Sequence, residues 1–265
     1  MAHLRIDRVS VAFPLYHGES RSLKKTVLAA ATGRLGEDRR HRLVVEAVRD
    51  VSFSLHSGER VGFVGANGAG KTTILRAMAG IYEPMAGSIT IDGAITALLD
   101  QSQGMNFDLT GRENIRLRGL FSGLGAAQIR QLQIDVAAFA GLEQFLELPV
   151  RTYSSGMVVR LGFALATAIR PQILLMDEWI LAGDAAFLDR ARHRLETMVR
   201  GAEILVLSSH STDIILQWCN RVIWMDDGEI RADGTPDEVL AAYLPPEQFA
   251  AAKLAADNSE RLRHV

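Results

Sequence analysis

Residues 65–72 read GANGAGKT and match the pattern G-x-x-x-x-G-K-[ST]. Those residue types at that spacing make a phosphate-binding loop. Gly65, Gly68 and Gly70 allow successive backbone N–H groups to turn inward, where a Cβ would block the wrap. Ala66, Asn67 and Ala69 fill the intervening positions, and Thr73 follows directly. Lys71 has the reach to meet β- and γ-phosphates, and the Thr72 hydroxyl is a ligand type for Mg2+. The chemistry expected here is nucleotide binding.

The flanks supply the elements such a loop needs. The apolar run RVGFV (60–64) predicts a buried strand. Residues 73–79 (TILRAMA) predict a helix whose N-terminus points at the phosphates. Upstream, residues 4–13 (LRIDRVSVAF) alternate as a half-buried strand does and stop at Pro14, and residues 48–55 predict a second strand. Between them, residues 17–42 carry seven Lys and Arg against three acids, with Leu23, Val27, Leu28 and Ala31 at helical spacing. Ser20 or Ser22 would cap a short basic amphipathic helix and Gly33 would stop it. Two readings fit that insertion: a solvated loop, or a face for phospholipid head groups or an anionic lipid-linked substrate.

After the loop, residues 87–93 and 95–99 predict strands around Asp92-Gly93. The texture then turns helical between residues 109 and 148, with periodic segments at 114–120, 126–140 and 142–146, until Pro149 breaks it. Buried strands are expected at 173–176 and 204–207, and a closing strand pair at 221–225 and 229–232 around Asp227-Gly228. A short helix is expected at 237–243. Pro245 and Pro246 are expected to end the compact part, leaving an Ala-rich charged tail.

Composition narrows the function classes. A formal charge of −2 argues against bulk electrostatic binding to nucleic acid. The single cysteine, Cys219, forms no internal disulfide and suits a reducing compartment. The start MAHLRIDRVSV lacks a basic-then-apolar signal segment, and no apolar run approaches the ~18 residues that span a bilayer. The expectation is a soluble protein that meets membranes through a partner.

Five further segments complete the pattern. ILLMDE (173–178) is an apolar run ending in paired carboxylates, Asp177 and Glu178. YSSGM (153–157) places Ser154 and Gly156 at the head of a predicted helix, so its N–H groups and positive dipole end suit a γ-phosphate. Gln101 follows the strand at 95–99 and precedes LTGREN (109–114), with Gln103 as a competitor, and LVLSSH ends in His210. LAGD ends in Asp184.

In this order and spacing the chain resembles ATP-binding-cassette (ABC) ATPases over residues 4–243. The resemblance implies an α/β P-loop NTPase fold: a RecA-like core, an antiparallel β subdomain and an inserted helical subdomain. The ABC domain is expected at 1–243, with the helical part at about 103–160 and a tail at 244–265. It implies ATP and Mg2+ as ligands. Glu178 would polarise the attacking water, Asp177 would hold the metal shell with Thr72, Gln101 would sense metal and water, and His210 would contact the γ-phosphate. YSSGM is similar to the signature LSGGQ, departing from it at Tyr153, Ser155 and Met157. Asp184 would couple the two sites of a dimer. Phe13, or else Tyr16, would stack on adenine, unless Phe13 serves the core.

The stretches ALLDQSQGMNFDLTGRENI, PVRTYSSGMVVRLGFALA and LLMDEWILAGDAAF are similar to the ATPase subunits that export lipid-linked polysaccharide, namely O-antigen, capsule and teichoic acid. That branch implies a peripheral homodimer on the cytoplasmic face of the inner membrane, coupled to a transmembrane permease subunit. It implies no nucleic-acid partner. A carbohydrate-binding domain that some members carry after the cassette is not expected here. An exporter for a drug, lipid or peptide is the alternative within transport.

Overall fold

The computed structural model describes residues 1–14, 35–37, 43–99, 104–177 and 185–263. In chain order the elements begin with β1 (His3–Pro14), β2 (Leu35–Glu37), β3 (Leu43–His56), β4 (Arg60–Val64), α1 (Lys71–Met78), β5 (Ala86–Asp92) and β6 (Ile95–Leu98). Then come α2 (Gly111–Phe121), α3 (Ala126–Ala140), α4 (Ser155–Thr167), β7 (Ile173–Asp177) and α5 (Ala185–Gly201). The chain closes with β8 (Ile204–Ser208), α6 (Thr212–Trp218), β9 (Arg221–Asp226), β10 (Glu229–Gly234), α7 (Pro236–Tyr243) and α8 (Pro246–Arg263). The fold is mixed α/β.

Two compact units emerge. The first holds Met1–Ile95, Leu175–Glu178 and Glu203–Val265; the second holds Thr96–Leu174 and Trp179–Ala202.

In the first unit an antiparallel sheet runs in the order β2-β3-β1-β5. Its buried stripe on β1 is Leu4, Ile6, Val9 and Val11, each at most 2% exposed. Two residues rather than one separate Ile6 from Val9, and the register with β3 shifts there. Arg8 adopts φ 48° at that point, and its N–H donates to Ser52 Oγ at 2.8 Å. Across the pair Asp50 adopts φ 45° and its N–H donates to Ser10 Oγ at 3.0 Å. This bulge keeps the apolar stripe on one face.

The other sheet of this unit carries the order β10-β9-β4-β8-β7. β4 lies parallel to both β8 and β9, as expected for strands buried on both faces. Val61, Phe63, Ile204, Leu205, Val206, Val222 and Ile223 have 0% exposure, so this sheet is the core of the unit. Gly62 permits α6 to lie close, because a Cβ there would stand 2.8 Å from Ile215 Cδ1.

The second unit packs α2, α3 and α4 around Ile115, Leu132, Val136, Leu142, Leu146 and Leu161. Thr110 caps α2 through a capping box with Glu113, whose carboxyl those hydrogen bonds hold below its usual range. Phe139 stacks on Phe163 at 5.7 Å between centroids, and the Arg194 guanidinium lies 4.4 Å from the Phe139 ring centre.

Two expectations are corrected. Residues 142–146 form turns rather than a helix. Gly141 ends α3 in the left-handed conformation, and Phe145 N–H bonds back to the Leu142 carbonyl at 2.9 Å, so Leu142 and Leu146 reach the core without a helix between them. Pro245 and Pro246 do not end the compact part either, since the first unit continues past them. Proline is accepted in the first turn of a helix, and α8 begins at Pro246, with Lys253 paired to Asp237 at 2.9 Å. Within the basic insertion only Leu35–Glu37 are described, as an edge strand on β3; the helix expected upstream lies outside the described residues.

Candidate functional site

β4 ends at Val64 and the chain turns at once into the phosphate loop, which closes on α1. Gly65 adopts φ 142° and Gly70 φ 103°. A Cβ on Gly65 would stand 2.1 Å from the Met225 carbonyl, and one on Gly70 would stand 2.6 Å from the Ala47 carbonyl. Both positions therefore require glycine for space as well as for conformation. Ala66, Asn67 and Gly68 are exposed at the crest of the loop, Ala69 and Gly70 are buried, and Thr72 and Thr73 are half-buried in the first turn of α1. Ile74 N–H donates to the Gly70 carbonyl at 2.9 Å, joining the loop to the first turn of α1.

Lys71 is only 6% exposed. Its Nζ donates to the Gly65 carbonyl at 2.7 Å and to the Ala66 carbonyl at 3.0 Å. The ammonium is thus folded over the loop, held by carbonyls of the same turn that a phosphate would enter. A bound phosphate would compete for it with a full negative charge, a stronger acceptor than a neutral carbonyl.

In the sheet order β8 lies next to this loop's strand, β4, and β7 lies next to β8. β7 brings the half-buried Asp177 at its last residue, and β8 is followed by Ser209 and the exposed His210. The Ser209 hydroxyl accepts the Ser211 N–H at 3.0 Å, and the Ser211 hydroxyl bonds Asp213, so the turn after His210 is fixed by its own side chains. Ser208, at 0% exposure, ends β8 with a buried hydroxyl that has no hydrogen-bond partner.

Phe13 is 37% exposed at the end of β1, which favours a surface role over a core one. Its ring meets Tyr82 edge-on at 5.1 Å, and Tyr82 OH accepts from Arg76 at 2.9 Å. Tyr82 extends the aromatic surface and was not legible in the sequence, because it follows α1 without any periodic signal. Tyr16 lies outside the described residues, as do Gln101, Gln103, Glu178 and Asp184.

In the second unit, Ser154 caps α4, its Oγ accepting the Met157 N–H at 3.3 Å. Among the described residues outside the helix's own backbone, a Gly156 Cβ would meet the Ser154 hydroxyl at 4.0 Å and nothing nearer, so this helix head offers an open approach. Tyr153, the first departure from the signature pattern, has an internal task. It is buried, and its OH donates to the Phe145 carbonyl at 2.7 Å, tying the segment to the core of its unit. That burial raises its pKa. In the segment after Gln101, Asn114 is 2% exposed and donates to the Asn106 and Thr110 carbonyls, each at 2.9 Å, while its Oδ1 accepts the Asn106 N–H at 2.8 Å. One buried amide therefore fixes the loop before α2.

Comparison with known proteins gives the following. The family model for the ABC transporter matches residues 48–181. The chain is 41% identical over 231 residues to the O-antigen export system ATP-binding protein RfbE of Yersinia enterocolitica, covering 87% of this chain and 97% of that protein. It is 41% identical over 197 residues to the teichoic acids export ATP-binding protein TagH of Listeria monocytogenes serotype 4b, covering 74% of this chain and 58% of TagH. The chain thus spans nearly all of the first relative and little more than half of the second. Among solved structures, the dimeric post-hydrolysis state of the ATP-binding cassette MJ0796 bound to ADP and Pi matches with a TM-score of 0.63 at 19% identity, over 88% of this chain and 98% of that one. At that identity the likeness establishes the fold.

Proposed function

The chain belongs to the ABC transporter family, and from that premise we propose that it is the ATP-hydrolysing subunit of an exporter for lipid-linked polysaccharide. It works as a homodimer beside a separate transmembrane subunit, at the cytoplasmic face of the membrane. ATP binding and hydrolysis follow from the family; the cargo, partner and site roles are our inference. The observation that carries the reading is that one chain presents two different helix heads, a glycine-rich loop opening α1 and a Ser154-capped head opening α4. Each suits one side of a triphosphate. The cargo rests on the identity to RfbE and TagH, named for the export of O-antigen and of teichoic acids.

In this mechanism the loop N–H groups and Lys71 bind the β- and γ-phosphates, and Phe13 with Tyr82 offers ring surface to adenine. Thr72 and Asp177 are hard oxygen donors, half-buried at the start of α1 and the end of β7, and would be the residues to hold Mg2+. The metal, when bound, neutralises charge on the β- and γ-oxygens. Glu178 orients and deprotonates the attacking water, and His210 and Gln101 report the state of the γ-phosphate. Ser154 and Gly156 of the second copy close the site, and Asp184 couples the two sites. The segment from Gln101 to Asn114 passes the motion to the transmembrane subunit.

The test is made in cells lacking this protein. Lipid-linked polysaccharide is expected to accumulate inside, and a wild-type copy but not Glu178→Gln is expected to restore surface display. Unchanged surface glycan in the deletion strain would refute the polysaccharide cargo and direct attention to other exported lipids, drugs or peptides.

A further inference from the structure

We propose that Arg49 is a positioning residue for nucleotide binding, acting on the phosphate loop through the Asp227–Gly228 turn. The inference rests on the reading of residues 65–72 as the phosphate loop. All of the groups involved lie in the first unit.

The turn joins β9 to β10, with Asp227 at φ 50° and Gly228 at φ 83°. Gly228 is bonded on both sides. Its N–H donates to the Ala69 carbonyl of the phosphate loop at 3.1 Å, and its carbonyl accepts the Arg49 N–H of β3 at 2.8 Å. The Arg49 side chain then returns to the same turn. Its Nη2 donates to the Asp227 carbonyl at 2.8 Å and to Asp227 Oδ2 at 2.9 Å, with Glu229 Oε1 at 3.5 Å. Arg49 is the only residue in these contacts that holds the turn by both backbone and side chain.

The bond to Ala69 matters because a peptide group is planar. The Ala69 carbonyl and the Gly70 N–H belong to one such plane and point in opposite directions within it. Fixing the carbonyl on Gly228 fixes the direction of the Gly70 N–H, one of the donors a phosphate loop presents to its ligand. Glycine-rich backbone needs this support, because Gly68 and Gly70 have wide conformational freedom of their own. Steric walls limit the loop in translation: the Met225 carbonyl behind Gly65 and the Ala47 carbonyl behind Gly70. They do not set the rotation of the Ala69–Gly70 plane. The hydrogen bond from Gly228 does, and Arg49 aims Gly228.

The physical consequence is a preorganised loop. When the binding-competent arrangement falls to a fraction of the population, apparent affinity falls by that same fraction. Truncating Arg49 removes two side-chain bonds and a charge from the turn, while the backbone bond from Arg49 N–H remains. The expected loss is about tenfold in nucleotide affinity. A lysine restores the charge, but on a compact ammonium at the end of a flexible stem, without the rigid planar group that directs Nη2 at both Asp227 oxygens, so it should recover part of the loss.

The experiment measures binding of a fluorescent ATP analogue, KM and kcat for ATP, and the melting temperature without nucleotide. The proteins are wild type, Arg49→Ala, Arg49→Lys and Lys71→Ala. Arg49→Ala is expected to raise Kd and KM about tenfold, with the loss falling on KM rather than kcat, and Arg49→Lys is expected to lie between it and wild type. If Arg49→Ala lowers the melting temperature yet keeps Kd within twofold, Arg49 is a structural brace and the proposal is overturned. Arg49→Lys decides the matter should the alanine variant not fold: wild-type Kd there overturns it as well. If Lys71→Ala binds like wild type, the phosphate-loop reading itself fails and takes the proposal with it. Loss in Lys71→Ala with no loss in either Arg49 variant overturns the positioning role alone.

Discussion

Cys219 shows how far burial alone can set the chemistry of a side chain. Its thiol is 8% exposed at the end of α6, and burial pushes its pKa from 9.0 up to about 12, against a smaller opposing effect of the Arg60 guanidinium. The thiolate is the disfavoured form in the folded protein and is free to form once the chain unfolds. The raised pKa therefore contributes stability that is fully present below pH 9 and is lost as pH rises from 9 towards about 12. Between pH 8 and pH 10 the wild type should lose about 1.4 kcal/mol more than Cys219→Ala, following 1.36 kcal/mol per unit once the unfolded thiol ionises. Urea unfolding of both proteins at the two pH values checks this, and equal losses would show that the thiol titrates alike in both states. Lys71 is buried as deeply, but its Nζ has acceptors in the Gly65 and Ala66 carbonyls.

Among the elements, the contact between α2 and α3 is set by Gly119. A Cβ at that position would meet Ile129 Cγ1 at 2.7 Å and Leu132 Cδ2 at 3.4 Å. Gly119→Val adds a branched side chain where the helices already touch, and overpacking of this kind costs about 2 kcal/mol. Denaturant unfolding should register that loss, and hydrogen exchange should place it in α2 and α3. Why this glycine matters was not legible in the chain, since a glycine within a helical pattern reads only as a weak point. Periodicity did reveal α3, whose bounds match the apolar spacing of residues 126–140, and the alternation on β1 survives the bulge at Arg8. It misled at 142–146, where a helical spacing of two leucines is met by turns, and it was blind to α8, whose alanines carry little periodic contrast. The site divides in the same way. The phosphate loop is local and was readable from eight consecutive letters, whereas the grip of Arg49 on Asp227 joins residues 178 positions apart and needed the fold.

For the whole molecule, the decisive fact is stoichiometric. One chain contains one phosphate loop, in the first unit, and one Ser154-capped signature, in the second. The family resemblance implies that ATP is enclosed by the loop of one copy and the signature of another, so two copies would build two sites. Hydrolysis reopens such a pair, because the separated γ-phosphate no longer bridges the two faces. Glu178→Gln removes the proposed base but preserves size and hydrogen-bonding capacity. It should therefore bind ATP at near wild-type affinity, lose about 1,000-fold or more in turnover as general-base losses do, and accumulate as a dimer. Size-exclusion chromatography with light scattering, run with ATP and Mg2+, reads this directly. The variant should elute at twice the 29.0 kDa chain mass, while the same variant without nucleotide should not. Ser154→Arg in the Glu178→Gln background separates a composite site from any other dimer. It places a bulky cation at the head of α4, far in sequence from the phosphate loop, and should abolish the ATP-dependent dimer while each monomer still binds nucleotide. A dimer that persists in the double variant would mean that the second copy closes the site without the signature helix, and the head of α4 would lose its assigned role.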